Sequence, residues 1–172
     1  MSLLASLVLV ALAVLPVPAS AWNIPGHMLS GAIAYQVLRQ ENSQTIEKVK
    51  AVLEKHPWYT HQWQTRLQDV PVADRDMLLF MQAARWPDDI RTQEKAQNRP
   101  SWHYINLPFK PEGQPDSVQT RDPEPVNILT AMAENESVVK NESDSERKAI
   151  ALAWREYTKR NFRRLAEAMI CV

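Results

Sequence analysis

A mainly helical fold is predicted by three features of this 172-residue chain. Apolar residues recur at three- and four-residue steps in successive stretches, no stretch alternates convincingly at a period of two, and no internal repeat is visible. The longest stretch without any period, residues 106–125, holds five prolines and a glycine among polar residues, and so reads as a loop.

The elements follow in order. Leu29, Ile33 and Val37, with Ala32 and Leu38 alongside, predict an amphipathic helix over 28–40, directly after His27. Asn42 or Ser43 is placed to cap a second helix that buries Ile46, Val49, Val52 and Leu53 and is ended by Pro57. Residues 58–70 are aromatic and polar without a clean period and read as an irregular excursion whose tryptophans pack back on the helices. Helical spacing resumes over 74–86 through Met77, Leu78, Met81 and Ala84. Pro87, which has no amide donor and restricts its neighbour, is expected to stop that helix and leave Asp88 just past its end. A short helix is expected over 126–134 with Pro125 in its first position. The run Ser143-Asp144-Ser145-Glu146 reads as a capping box opening a last helix, with Ile150, Trp154, Tyr157 and Leu165 on one apolar face.

Composition narrows the class. Residues 3–15 are an uncharged apolar run followed by Ala19-Ser20-Ala21, the layout of a secretory signal too short to span a bilayer as a helix. Cleavage after Ala21 would leave one domain's worth of chain, residues 22–172, and a secreted or periplasmic product with no membrane span. Twenty basic and twenty acidic residues balance, so a nucleic-acid partner would be held locally and not by a broad positive field. Cys171 is the sole cysteine, which rules out an intrachain disulfide. Asn135 and Asn141 each open an N-glycosylation pattern.

Four residues stand out chemically. The same cleavage would expose a free amine on Trp22, which together with its own carbonyl can close a five-membered chelate ring on a metal ion, and His27 can add a nitrogen ligand. Further on, Asp88 in Arg85-Trp86-Pro87-Asp88-Asp89-Ile90-Arg91 and His103 in Trp102-His103-Tyr104 are mixed oxygen and nitrogen donors of the kind a hydrolytic zinc accepts. Each also has an ordinary explanation: Trp22 as a core aromatic, His27 as a surface histidine, Asp88 as a turn cap and His103 as a ring packed beside Trp102.

Taken together, the Ala-x-Ala site, the Trp22 to Gly26-His27 stretch, the Trp86-x-Asp88-x-x-Arg91 pattern and His103-Tyr104 fifteen residues past Asp88 resemble the S1/P1 nuclease family over residues 22–154. The resemblance implies a phospholipase C/P1 nuclease-like helical fold and a three-zinc (Zn2+) cluster. It implies an exported endonuclease and 3'-nucleotidase hydrolysing phosphodiester bonds of RNA and single-stranded DNA, with nucleotides as further substrates and no stable protein partner. It places Trp22 and His27 on one zinc and Asp88 and His103 on another, zinc-bound water being the nucleophile. Arg91 is a candidate phosphate contact and Asp89 a candidate outer partner, and for both a surface ion pair is the ordinary account. Zinc phospholipases C resemble the same fold but have a longer Trp-to-His spacing, so the five-residue step here favours the nuclease branch.

The pattern departs from the family after Trp154. There the family continues into His-x-x-Gly-Asp-x-His, whereas Tyr157 stands at the first histidine, Asn161 at the bridging aspartate and Arg163 at the next histidine. A neutral amide cannot bridge two dications as a carboxylate does, and a guanidinium adds positive charge where negative charge is needed. Residues 155–172 form a divergent basic tail through Arg155, Lys159, Arg160, Arg163 and Arg164. The expectation is a domain incomplete at its C-terminus with at most a partial zinc set. The alternative function is a helical remnant that binds zinc weakly, or nucleic acid through that tail, without turnover.

Overall fold

The computed structural model describes residues 24–94, 96–115, 117 and 121–170, with the side chains of 158–170 excepted. The expected signal segment, Trp22 and Cys171 lie outside the described residues, as do the side chains of Lys159, Arg160, Asn161, Arg163, Arg164 and Leu165. Six α-helices and no strand occur among the described residues, and no helix there is long and apolar enough to cross a membrane. The mainly helical prediction is correct.

Helix α1 (Ile24–Glu41) starts before His27 and carries it in its first turn. Its buried face is His27, Ser30, Gly31 and Tyr35, while Leu29, Ile33 and Val37 are 61%, 55% and 43% exposed, the reverse of the predicted facing. Packing distance explains the reversal. A Cβ on Gly31 would lie 2.5 Å from Met81 Cα and 2.7 Å from the Phe80 carbonyl oxygen. Only a helix face without bulk can approach that closely, so the large side chains turn outward.

Helix α2 (Ser43–Leu53) buries Ile46 and Leu53, with Val49 and Val52 half-buried. Asn42 precedes it, but its side chain makes no capping bond. The expected irregular excursion is wound instead: a wide turn over Tyr59–Trp63 runs into α3 (Gln64–Gln68). The wide turn shifts the helical phase, which is why no single period shows. Trp58 and Trp63 are buried, as expected.

A tight turn over Val72–Asp74 leads into α4 (Arg75–Gln93), which does not stop at Pro87. An internal proline forfeits a backbone bond and costs about 3 kcal/mol. The helix continues because Trp86, Pro87 and Ile90 are all fully buried, and that packing offsets the missing bond. Asp88 is therefore fixed within the helix and not past its end.

A one-turn coil, Pro100–His103, follows, and the Ile128 amide donates to the Tyr104 carbonyl at 3.1 Å, tying this strip to the next helix. Helix α5 (Ile128–Asn141) is longer than expected and is opened by Asn127, whose side chain accepts from the amides of Leu129 and Thr130 while the Thr130 hydroxyl accepts from the Asn127 amide. Pro125 thus stands before the cap and not in the first helical position. Asn135 is buried, with its amide donating to the Ala131 carbonyl at 2.7 Å, so its glycosylation pattern is inaccessible in the folded chain, whereas Asn141 is exposed. Helix α6 (Ser145–Ile170) is capped by Asp144, not Ser143, through its Oδ1 and the amides of Glu146 and Arg147.

Helix α1 lies on α4, α5 lies on α6, and both α4 and α2 pack against α6. The main core gathers Leu53, Trp63, Leu79, Trp86, Leu152 and Trp154, and the last two tryptophans from α4 and α6 meet edge to face with centroids 6.0 Å apart.

Candidate metal centre

Three of the four chemically distinctive residues meet. His27 from α1, Asp88 from α4 and His103 from the coil before the loop converge with Tyr157 from α6. His27 Nε2 lies 3.0 Å from Asp88 Oδ2, and His103 Nδ1 lies 3.5 Å from Asp88 Oδ1. The Tyr157 hydroxyl makes a 2.6 Å hydrogen bond with His103 Nδ1 and donates to Asp88 Oδ1 at 3.4 Å. The side chains of His27 and His103 are 3% and 5% exposed and that of Asp88 is 14%, so the group is nearly withdrawn from water. Trp22, the fourth, lies outside the described residues.

Each position has a local cause. The close approach at Gly31 brings the first turn of α1 over α4, one turn from His27 and about two turns from Asp88. His103 is held edge-on to Trp154, with centroids 5.3 Å apart, and beside Trp102, which in turn packs on Trp154 at 5.1 Å. The Tyr157 ring stacks on His27 at 4.6 Å and meets His103 edge-on at 5.0 Å.

Electrostatics follow the contacts. Burial pushes the Asp88 carboxyl up, but the hydrogen bond from His27 and the charges of His27, His103 and Arg91 outweigh it and hold Asp88 below the usual carboxylate range. Burial, helped by Arg91, pushes His103 down to about 4 against the pull of Asp88. His103 is therefore a neutral ring at neutral pH, and its Nε2 is buried without a hydrogen-bond partner among the described residues.

The flanking predictions divide. Arg91 is half-exposed and pairs with Asp88, one guanidinium nitrogen 3.5 Å from Oδ1, which is the ion pair of the ordinary account. Asp89 turns away into a two-pronged pair with Arg85, at 2.8 and 2.7 Å, buried and not on the surface. It is neither an outer partner of the centre nor an exposed ion pair. Tyr157 was visible in the sequence at a ligand position, yet its type marked it as a loss and not as a member of the centre.

In donor type the histidines and carboxylate suit zinc. In arrangement each imidazole faces a different oxygen of Asp88, so one ion would not take all three, and the Tyr157 ring touches both imidazoles. Among the described residues no group of three His, Cys, Asp or Glu is disposed to hold a metal ion.

No curated protein and no solved structure matches the chain. The profile of the family described as S1/P1 Nuclease, however, matches residues 22–155, most of the chain, and covers α1 through the start of α6 together with Trp22, His27, Asp88 and His103. This chain belongs to the S1/P1 nuclease family.

Proposed function

We propose that this chain is an exported nuclease-type hydrolase directed at the phosphodiester bonds of RNA and single-stranded DNA, with nucleotide 3'-phosphates as smaller substrates. Its centre lies where His27, Asp88 and His103 meet, with Trp22 as a further donor and zinc as the cofactor the family implies. One observation carries the reading: residues from three distant segments, all within the family match, are gathered on the Asp88 carboxylate. Arg91 at the mouth supplies a positive group for a phosphate oxygen, and the buried, neutral imidazole of His103 presents no charge of its own to repel a cation. Export is supported by the apolar run of 3–15 and by a family match that begins at residue 22, directly after the Ala-Ser-Ala site.

A second reading, a family relative that binds without turnover, is favoured by the Tyr157 hydroxyl set among the donors. Zinc content and hydrolysis of a single-stranded DNA oligonucleotide, measured on a chain beginning at Trp22, separate the two. Zinc-dependent cleavage supports the hydrolase; no cleavage, with or without bound zinc, supports the binding relative and overturns the hydrolase.

A further inference from the structure

We propose that Tyr157 stands in for a cation on the His103–Asp88 side of this centre: its hydroxyl takes up His103 Nδ1 and Asp88 Oδ1, two atoms by which an ion would be held, and its ring lies against both imidazoles. The inference rests on reading His27, Asp88 and His103 as the family's donors.

The distances carry it. Nδ1 of His103 and Oδ1 of Asp88 are 3.5 Å apart, and an ion bound by both would sit between them, at roughly 2.0–2.2 Å from each. The Tyr157 oxygen is already 2.6 Å from one and 3.4 Å from the other, hydrogen-bonded across the same pair. The hydroxyl proton goes to Asp88 and the oxygen accepts from His103 Nδ1–H, so one group satisfies a carboxylate and an imidazole that burial has stripped of water, and neither atom is left free for an ion.

The ring adds a second, independent obstacle. An ion held by His103 and Asp88 needs open positions around it for its further ligands. Here the phenol ring lies flat on His27, with 24° between planes, and edge-on to His103, at 76°, while the Trp154 ring backs it at 5.8 Å. Tyr157 is 5% exposed, so it cannot swing away without opening the core to which it belongs. On this side the centre is held by hydrogen bonds and ring contacts, with His103 Nε2 left as the nitrogen that has no partner among the described residues.

The test is zinc bound per chain in equilibrium dialysis, read by elemental analysis on the full chain, on Tyr157→Phe, on Tyr157→His and on Tyr157→His combined with Asp88→Asn. Circular dichroism checks each fold. The expected result is no Asp88-dependent zinc in the unmodified chain or in Tyr157→Phe, and a gain on the order of one ion in Tyr157→His that Asp88→Asn removes. Asp88-dependent zinc in the unmodified chain overturns the proposal, and its loss in Tyr157→Phe would make the phenol a ligand. A folded Tyr157→His that takes up no such zinc overturns the donor reading beneath it, a distinct failure. Should Tyr157→His not fold, cobalt(II) titration of the unmodified chain decides: a tetrahedral absorption band abolished by Asp88→Asn overturns the proposal, and its absence supports it.

Discussion

Asp88 is the residue on which the centre turns. One carboxylate serves two imidazoles, a phenol and a guanidinium, so Asp88→Asn removes an acidic partner that four groups share. Breaking a largely buried pair leaves its partners unsatisfied, and a loss of about 2–4 kcal/mol in urea denaturation is expected. His56 makes a separate prediction. It is stacked on Trp63 at 4.4 Å and lies edge-on to Trp86 at 4.6 Å, its Nδ1 accepts from the Trp58 amide, and burial lowers its pKa to about 3. The folded state thus favours the neutral ring. Its contribution is complete above the ordinary value of 6.5 and is lost progressively as pH falls from there toward 3. The melting temperature should decline across that window, through a loss on the order of 2–4 kcal/mol, and the decline should flatten in His56→Phe.

At the level of helices, main-chain proximity decides what the side chains do. Gly31→Ala would push a methyl group into the backbone of Met81, where no rotamer can yield. Overpacking of that kind costs about 1–3 kcal/mol, and it should also part His27 from Asp88, visible as a shift of the His27 ring resonances. Asn127→Ala removes the cap of α5, at an expected cost of about 1–2 kcal/mol in thermal unfolding. The sequence pattern located the helices except α3, which it read as irregular, and misjudged how several begin and end. Pro87 looked like a terminator because the rule is local, and burial of Trp86 and Ile90 is not. Ser143 looked like a cap because the spacing to Glu146 was right, yet Asp144, one step nearer, takes the same amides.

Across the whole molecule, the outward stripe of Leu29, Ile33 and Val37 shows the limit of periodicity, which finds an apolar face without saying which way it points. Leu29→Gln is accordingly expected to leave stability within about 0.5 kcal/mol, whereas the sequence pattern alone would have made it a core substitution. The centre itself was legible as to its donors, since His27, Asp88 and His103 do come together. What was not legible is that Tyr157 joins them. A residue-by-residue comparison of ligand types registers a missing imidazole, but only the packing of α6 against α4 shows a hydroxyl delivered to the same place.

That delivery comes from far along the chain, 69 positions beyond Asp88. The bond can form only once α6 is docked on α4, the same docking that buries Trp154. A spectroscopic signal from the Tyr157 hydroxyl therefore reports the joining of the two ends of the chain's core, not the local winding of either helix.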